Sequence, residues 1–296
     1  MKIPVGKTIA YAYSFTFGNF LTLLGLSWVA HLIATAANYL LMPSYIRAIE
    51  QMNATDRAAG MGAAVGSIML LSVVTAFSIG MISIAFSRQA LGLRNGPAYF
   101  YFSLDRSLWR LLGAYLLFAL IFFGVILVVA MLAGFVVALS GFEPQAGNNR
   151  FIAVIVLMIF ALTIYFALRM GFFMPTVAGA EGQHILRRSW LLSRGNFWRL
   201  FAILLLILLP FIVIFVIYQQ VLISFLGVTR PPAGSDPQLV AAYTLQVQSA
   251  VIRAAPYLFP VTLAINAALF GCVIAASAFA YRALVPASDG IAAEFA

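Results

Sequence analysis

The sequence has 296 residues, 64% of them hydrophobic and 8% charged, with a mean hydropathy of +1.04. No water-soluble globular domain can hide that much apolar surface, so the chain is expected to be a polytopic membrane protein. The net charge of +9 would suit nucleic acid in a soluble protein, but here the basic residues flank apolar runs. Membrane topology and anionic lipid account for them, and no nucleic-acid partner is expected.

Taken in order, the apolar runs give six spans, at approximately 18–42, 62–88, 108–140, 151–175, 197–227 and 257–284. Each exceeds the ~20 residues that a helix needs to cross the hydrocarbon. Lys2 and Lys7 precede the first run and Ala34-Thr35-Ala36 resembles a cleavage site, but the run is too long for a signal peptide. Within this span Ser27, His31, Thr35 and Asn38 form a polar stripe that should face protein or water. Asn266 in the sixth span is a natural partner for His31. Gly62 and Gly66, and Ala264, Ala268, Gly271 and Ala275, offer small faces for close packing. Pro175 should stop the fourth span and Pro210 should kink the fifth. Residues 229–256 read as an outer-loop insertion whose second half is a helix on the outer surface.

One stretch organises the rest. Arg187 to Leu200, shifted back by 89 residues, falls on Ala98 to Leu111, and by a further 88 on Ala10 to Leu23. Tyr13, Tyr101 and Trp190 align as amphipathic aromatics, and Asn19, Ser107 and Asn196 as helix N-caps. Gly18 and Gly195 precede the cap and let the chain turn, whereas Arg106 takes that place in the middle copy. Each copy is read as a helix lying in the membrane interface, followed by a two-span hairpin. In the third copy Ile185, Leu186, Trp190 and Leu192 share an apolar arc and Arg187, Arg188 and Arg194 lie outside it. The fold expected is therefore all-α and single-domain, with six transmembrane helices as three parallel repeats, at approximately 1–90, 91–178 and 179–296.

Twelve of the 17 basic residues fall on one side of the spans, which puts both termini in the cytoplasm of a bacterial inner membrane. Arg88, Arg169 and Arg282 each stand near the end of a repeat's second span. They read either as arginines snorkelling to the interface or as a ring of charge facing a shared cavity. Glu181, just ahead of the basic stretch, could bind Arg169 or Arg187 or serve as an N-terminal helix charge.

Catalytic machinery is not found. The eight acids all lie outside the spans, and none forms a pair with a neighbour in sequence. Two histidines, His31 and His184, and the lone Cys272 offer no metal-ligand spacing, no disulfide framework and no CxxC site. Neither a Walker loop nor a GxSxG elbow is present, so no cofactor is expected.

Arg169, Pro175, Glu181-Gly182, Arg188-Ser189-Trp190 and Gly195 through Arg199 form a pattern over roughly residues 165–210. It resembles the membrane domain of bacterial glycerophosphodiester phosphodiesterases and of related stand-alone inner-membrane proteins. The metal-binding catalytic barrel has no counterpart here. The resemblance implies a membrane module without the phosphodiesterase activity and carries over no catalytic residue.

The leading expectation is a non-enzymatic module that binds lipid headgroups, anionic ones among them, or membrane-protein partners at its cytoplasmic face. Arg187, Arg188, Arg194 and Arg199 supply the charge, and Trp190 and Trp198 the anchoring. The alternatives are a transporter or channel for a small solute, anions among the candidates, with His31, Asn38 and Asn266 lining the path and the arginines attracting the anion, and a membrane-embedded lipid enzyme.

Overall fold

Helices account for most of the described residues. The computed structural model describes residues 2–54, 57–94, 99–140, 149–227, 231–232 and 236–285. In chain order the elements are α1 (Val5–Gly18), α2 (Phe20–Ala54), α3 (Arg57–Ala90), α4 (Arg106–Ser140), α5 (Asn149–Phe166), a π-helical turn (Ala167–Gly171), α6 (Met174–Ala180), α7 (Ile185–Ser193), α8 (Phe197–Phe225) and α9 (Pro237–Leu284). Six helical stretches are long and apolar enough to cross a membrane: within α2, α3, α4, the α5–α6 unit, α8 and α9. The protein is thus an all-α, multi-pass membrane protein.

Helices α2 and α3 form an antiparallel hairpin, and α9 packs along both. Leu23 and Leu26 of α2, Met81, Ile82, Ala85 and Phe86 of α3, and Ala267 and Ile274 of α9 fill a common core. The small face expected on α9 is used at Gly271. A Cβ there would stand 2.8 Å from both Thr16 and Leu23, so only glycine allows this approach. A Cβ on Gly62 or Gly66 would instead meet no atom within 4 Å, so the close packing expected there is absent among the described residues.

Several expectations are corrected. Helix α1 does not lie across the spans. Tyr11 meets Phe279 and Thr16 meets Gly271, so α1 runs antiparallel to α9, with Thr8, Ala12 and Thr16 fully buried. Few charges and small residues every four positions suit a helix sunk between neighbours. In the middle copy no interfacial helix precedes the span among the described residues; residues 99–105 form a non-helical strap along α2, where the Trp28 indole donates to the Tyr99 carbonyl at 2.9 Å. There the capping side chain is Asp105, which accepts from the Leu108 N–H at 3.1 Å, while Ser107 lies inside α4. Asn19 donates back to the Phe15 carbonyl of α1, and Asn196 accepts from the Ile3 N–H, so neither caps the helix that follows with its side chain. Among the described residues an interface-like helix bridging span ends is found only in the third copy, as α7.

Pro175 opens α6 and does not end the span, since the first turn of a helix has no use for the N–H that proline lacks. The segment expected as a separate outer helix is the first part of α9, which continues for 48 residues through Pro256 and Pro260. Residues 229–230 and 233–235 of the outer loop lie outside the described residues.

Candidate functional site

The end of the bundle that carries α7 is built around the π-helical turn. The Phe172 N–H reaches the Ala167 carbonyl at 3.1 Å, the five-residue bond that widens the helix there. The Arg169 carbonyl in this turn accepts from the Ser193 hydroxyl at 2.8 Å, and the Phe172 carbonyl from the Ser277 hydroxyl at 2.8 Å. Thr176 in turn lies 2.7 Å from Ser277, so α6 is tied to α9 by a buried hydroxyl chain. Helix α7 crosses from α4 to this turn. Its buried stripe is Ile185, Ser189 and Ser193, where small hydroxyl side chains let it sit close, while Leu186 and Leu192 pack beside it and Trp190 meets the Tyr165 ring.

The arginines singled out by sequence divide into held and unheld. Arg169 lies with its guanidinium carbon 4.1 Å from the Trp190 ring centroid and 5.9 Å from that of Tyr165. Arg188 bonds Glu181 at 3.0 Å, and the same carboxylate oxygen accepts from the Tyr281 hydroxyl at 2.6 Å. Arg199 donates to the Ile3 carbonyl at 3.1 Å, so Asn196 and Arg199 together fix the backbone of Ile3. Arg88 pairs with Asp105 and donates to Ser107 at 3.0 Å. Arg282 donates to the Ala90 carbonyl at 3.1 Å. Glu181 thus binds Arg188, and neither Arg169 nor Arg187 as its position in sequence suggested. Arg187 and Arg194 are exposed and have no partner among the described residues. Trp198 is also exposed, at 75%.

Beside α7 an open groove of about 510 Å³ brings Arg110, His184 and Arg187 together over Gly113, Ala114, Leu117, Ile185 and Leu186. Its wall is shaped by a turn with two left-handed residues, Gly182 at φ +68 and His184 at φ 47. A Cβ on Gly182 would come within 2.8 Å of Arg110 Nη1, so glycine leaves the guanidinium its place. A second depression, of about 420 Å³, adjoins through Gln183, His184 and Arg187 and is flanked by Glu181 and Arg188. Arg110 was not singled out by sequence. Its signal was its position, one turn inside an apolar helix where a cation needs a partner or a ligand.

At the other end of the bundle a cavity of about 480 Å³ collects His31, Thr35, Asn38 and Asn266, together with Thr75, Ser78, Tyr218 and Thr262. The intramembrane polar residues expected from sequence therefore share one site. His31 does not bond Asn266; its Nδ1 lies 3.2 Å from the Ser27 carbonyl. No group of three or more metal-ligating side chains occurs among the described residues.

No curated protein and no solved structure matches the chain. A family described as "Domain of unknown function (DUF7847)" matches residues 20–284, from the start of α2 to the end of α9. That span includes all six apolar helices, the α7 groove and the polar cavity, and the chain belongs to this family.

Proposed function

We propose that the protein is a non-enzymatic membrane module that binds anionic lipid headgroups in the groove beside α7, on a face that is cytoplasmic. The observation that carries this reading is the groove itself. Arg110, His184 and Arg187 stand at its rim, and Leu117 lies about 10 Å further along α4 from Arg110. A cationic rim above an apolar wall matches a phospholipid, whose phosphate and acyl chain are joined in that order. The five held arginines already direct their hydrogen bonds to the fold, so the headgroup contacts fall to Arg110 and Arg187, with exposed Arg194 adding long-range attraction. In this reading the three two-span units enter from the same leaflet, and the resemblance to the phosphodiesterase membrane domain concerns the lipid-facing module alone.

The test is lipid retention by the purified protein in nanodiscs that mix phosphatidylglycerol with phosphatidylcholine. Each lysine or arginine at a membrane surface contributes about 1 kcal/mol toward anionic lipid, roughly fivefold in preference. Arg110→Gln and Arg187→Gln should each lower the enrichment of phosphatidylglycerol around the protein by about that factor. Arg199→Gln, which removes an arginine bonded to Ile3, should lower it less. Equal enrichment in all variants would discard the reading.

A further inference from the structure

The cavity at the far end of the bundle has a different chemistry from the α7 groove. It lies between α2, α3, α8 and α9. Measured along the helices from the α7 end, Ser78 is about 15 Å from Arg88, Asn266 about 27 Å from Leu284 and Tyr218 about 32 Å from Phe197. Its inner limit is the packed core, since Ala30 and Ile82 belong both to the cavity lining and to the buried cluster of Leu23, Leu26, Met81 and Phe86. Toward the α7 end the cavity is thus bounded by that core.

The lining holds hydroxyls, two carboxamides and one imidazole, with no lysine, arginine, aspartate or glutamate among the described residues. Ser78 is 2% exposed, and its hydroxyl is buried with no hydrogen-bond partner. A buried hydroxyl left unpaired is unfavourable, and this one stands at the edge of a space that a ligand can fill. His31 uses Nδ1 toward the Ser27 carbonyl, so that nitrogen carries the proton and Nε2 is an acceptor. Asn38 and Asn266 each offer a donor and an acceptor, the pairing that a vicinal diol requires. Tyr39, Tyr218 and Phe270 add ring surface against which C–H groups can lie. A volume of about 480 Å³ is in the range of small-molecule sites.

We infer that this cavity binds an uncharged, hydroxyl-rich solute of monosaccharide size, entered from the face opposite α7. An anion is disfavoured because no fixed cation lines the site, and a purely apolar ligand would leave Ser78, Asn38 and Asn266 without partners. The inference stands on its own residues and does not depend on lipid binding beside α7.

The experiment uses the full chain with Thr35→Cys, reconstituted in nanodiscs and labelled with a small methanethiosulfonate reagent. Native Cys272 is fully buried and gives a low background. Thr35→Cys should react, and glucose or xylitol at tens of millimolar should slow the reaction at least threefold. Glucuronate, of the same shape but charged, should leave the rate unchanged within experimental error. Adding Asn266→Leu should abolish protection by glucose while leaving the unprotected rate in place. A cysteine that does not react, a rate unaffected by either polyol, or equal protection by glucuronate would each overturn the inference. If Thr35→Cys fails to insert, equilibrium dialysis of the wild-type protein with radiolabelled glucose decides: saturable retention that Ser78→Ala and Asn266→Leu weaken supports the site, and no saturable retention overturns it.

Discussion

The guanidinium carbon of Arg169 stands 4.1 Å from the indole ring centroid of Trp190, joining the π-helical turn to α7. The same arginine donates to the Ser193 carbonyl at 3.4 Å, so one side chain touches both the middle and the end of α7. A cation held over an aromatic face and partly removed from water contributes about 1–2 kcal/mol.

Replacing Trp190 by Leu keeps apolar bulk but removes the aromatic face. The variant should unfold about 1–2 kcal/mol more easily, and Trp190→Phe should lose less, because phenylalanine retains a weaker ring quadrupole. Thermal unfolding in a single mild detergent measures both. Equal losses for Leu and Phe would mean that packing alone holds α7.

Gly271 sets the distance between α9 and the α1–α2 joint. An added Cβ meets Thr16 and Leu23 at 2.8 Å, and Leu23 is fully buried, so neither neighbour can swing away freely. Gly271→Ala should therefore destabilise by about 1–3 kcal/mol, the usual cost of overpacking. Gly62→Ala and Gly66→Ala add a methyl where no atom lies within 4 Å, and each should be neutral or slightly stabilising. The same unfolding assay ranks the three, and a neutral Gly271→Ala would show that the joint is loosely packed.

These cases also mark what sequence can and cannot reveal here. Apolar length located six spans, because crossing a membrane requires it whatever the neighbours are. The bend at Gly195 was legible too, since φ +76 favours glycine on local grounds alone. The polar stripe of His31, Thr35 and Asn38 was legible because helical spacing puts it on one face, and the cavity lies there. Ser78 and Tyr218 complete that cavity from other helices, and which helix meets which is a tertiary matter that periodicity does not encode. Helix α1 was misread for the same reason: its alignment with the third copy suits an interface until α9 is known to pack along it. The middle strap failed differently: Asp105, two residues earlier, caps as well as serine does, and with α4 starting at Arg106 the Ser107 side chain falls inside the helix.

Glu181 is a junction between α7 and α9. Its Oε1 accepts from Arg188 at 3.0 Å and from Tyr281 at 2.6 Å. The ion pair is about a third exposed on its arginine side, so its coupling should stay below about 1 kcal/mol. The Tyr281 hydroxyl bond is more sheltered, and Tyr281→Phe should cost about 1.5–3 kcal/mol as a bond to a charged acceptor. A double-mutant cycle of Glu181→Gln with Arg188→Gln isolates the pair. Raising salt to about 1 M, where the screening length falls to about 3 Å, should shrink that coupling further. A coupling unaffected by salt would mean that the pair is buried more deeply than its exposure indicates.

Gly182 connects backbone strain to the proposed lipid groove. At φ +68 any other L-residue carries a cost of about 1–2 kcal/mol, so Gly182→Ala should be destabilised by about that amount. The new methyl also meets Arg110 Nη1 at 2.8 Å and must push the guanidinium aside. Gly195 provides the matched control, with φ +76 and no atom within 4 Å of its missing Cβ. Gly195→Ala should therefore show a similar loss of stability with no change in phosphatidylglycerol enrichment, whereas Gly182→Ala should lose both stability and enrichment. If the two variants change lipid enrichment alike, the position of Arg110 has no bearing on headgroup binding.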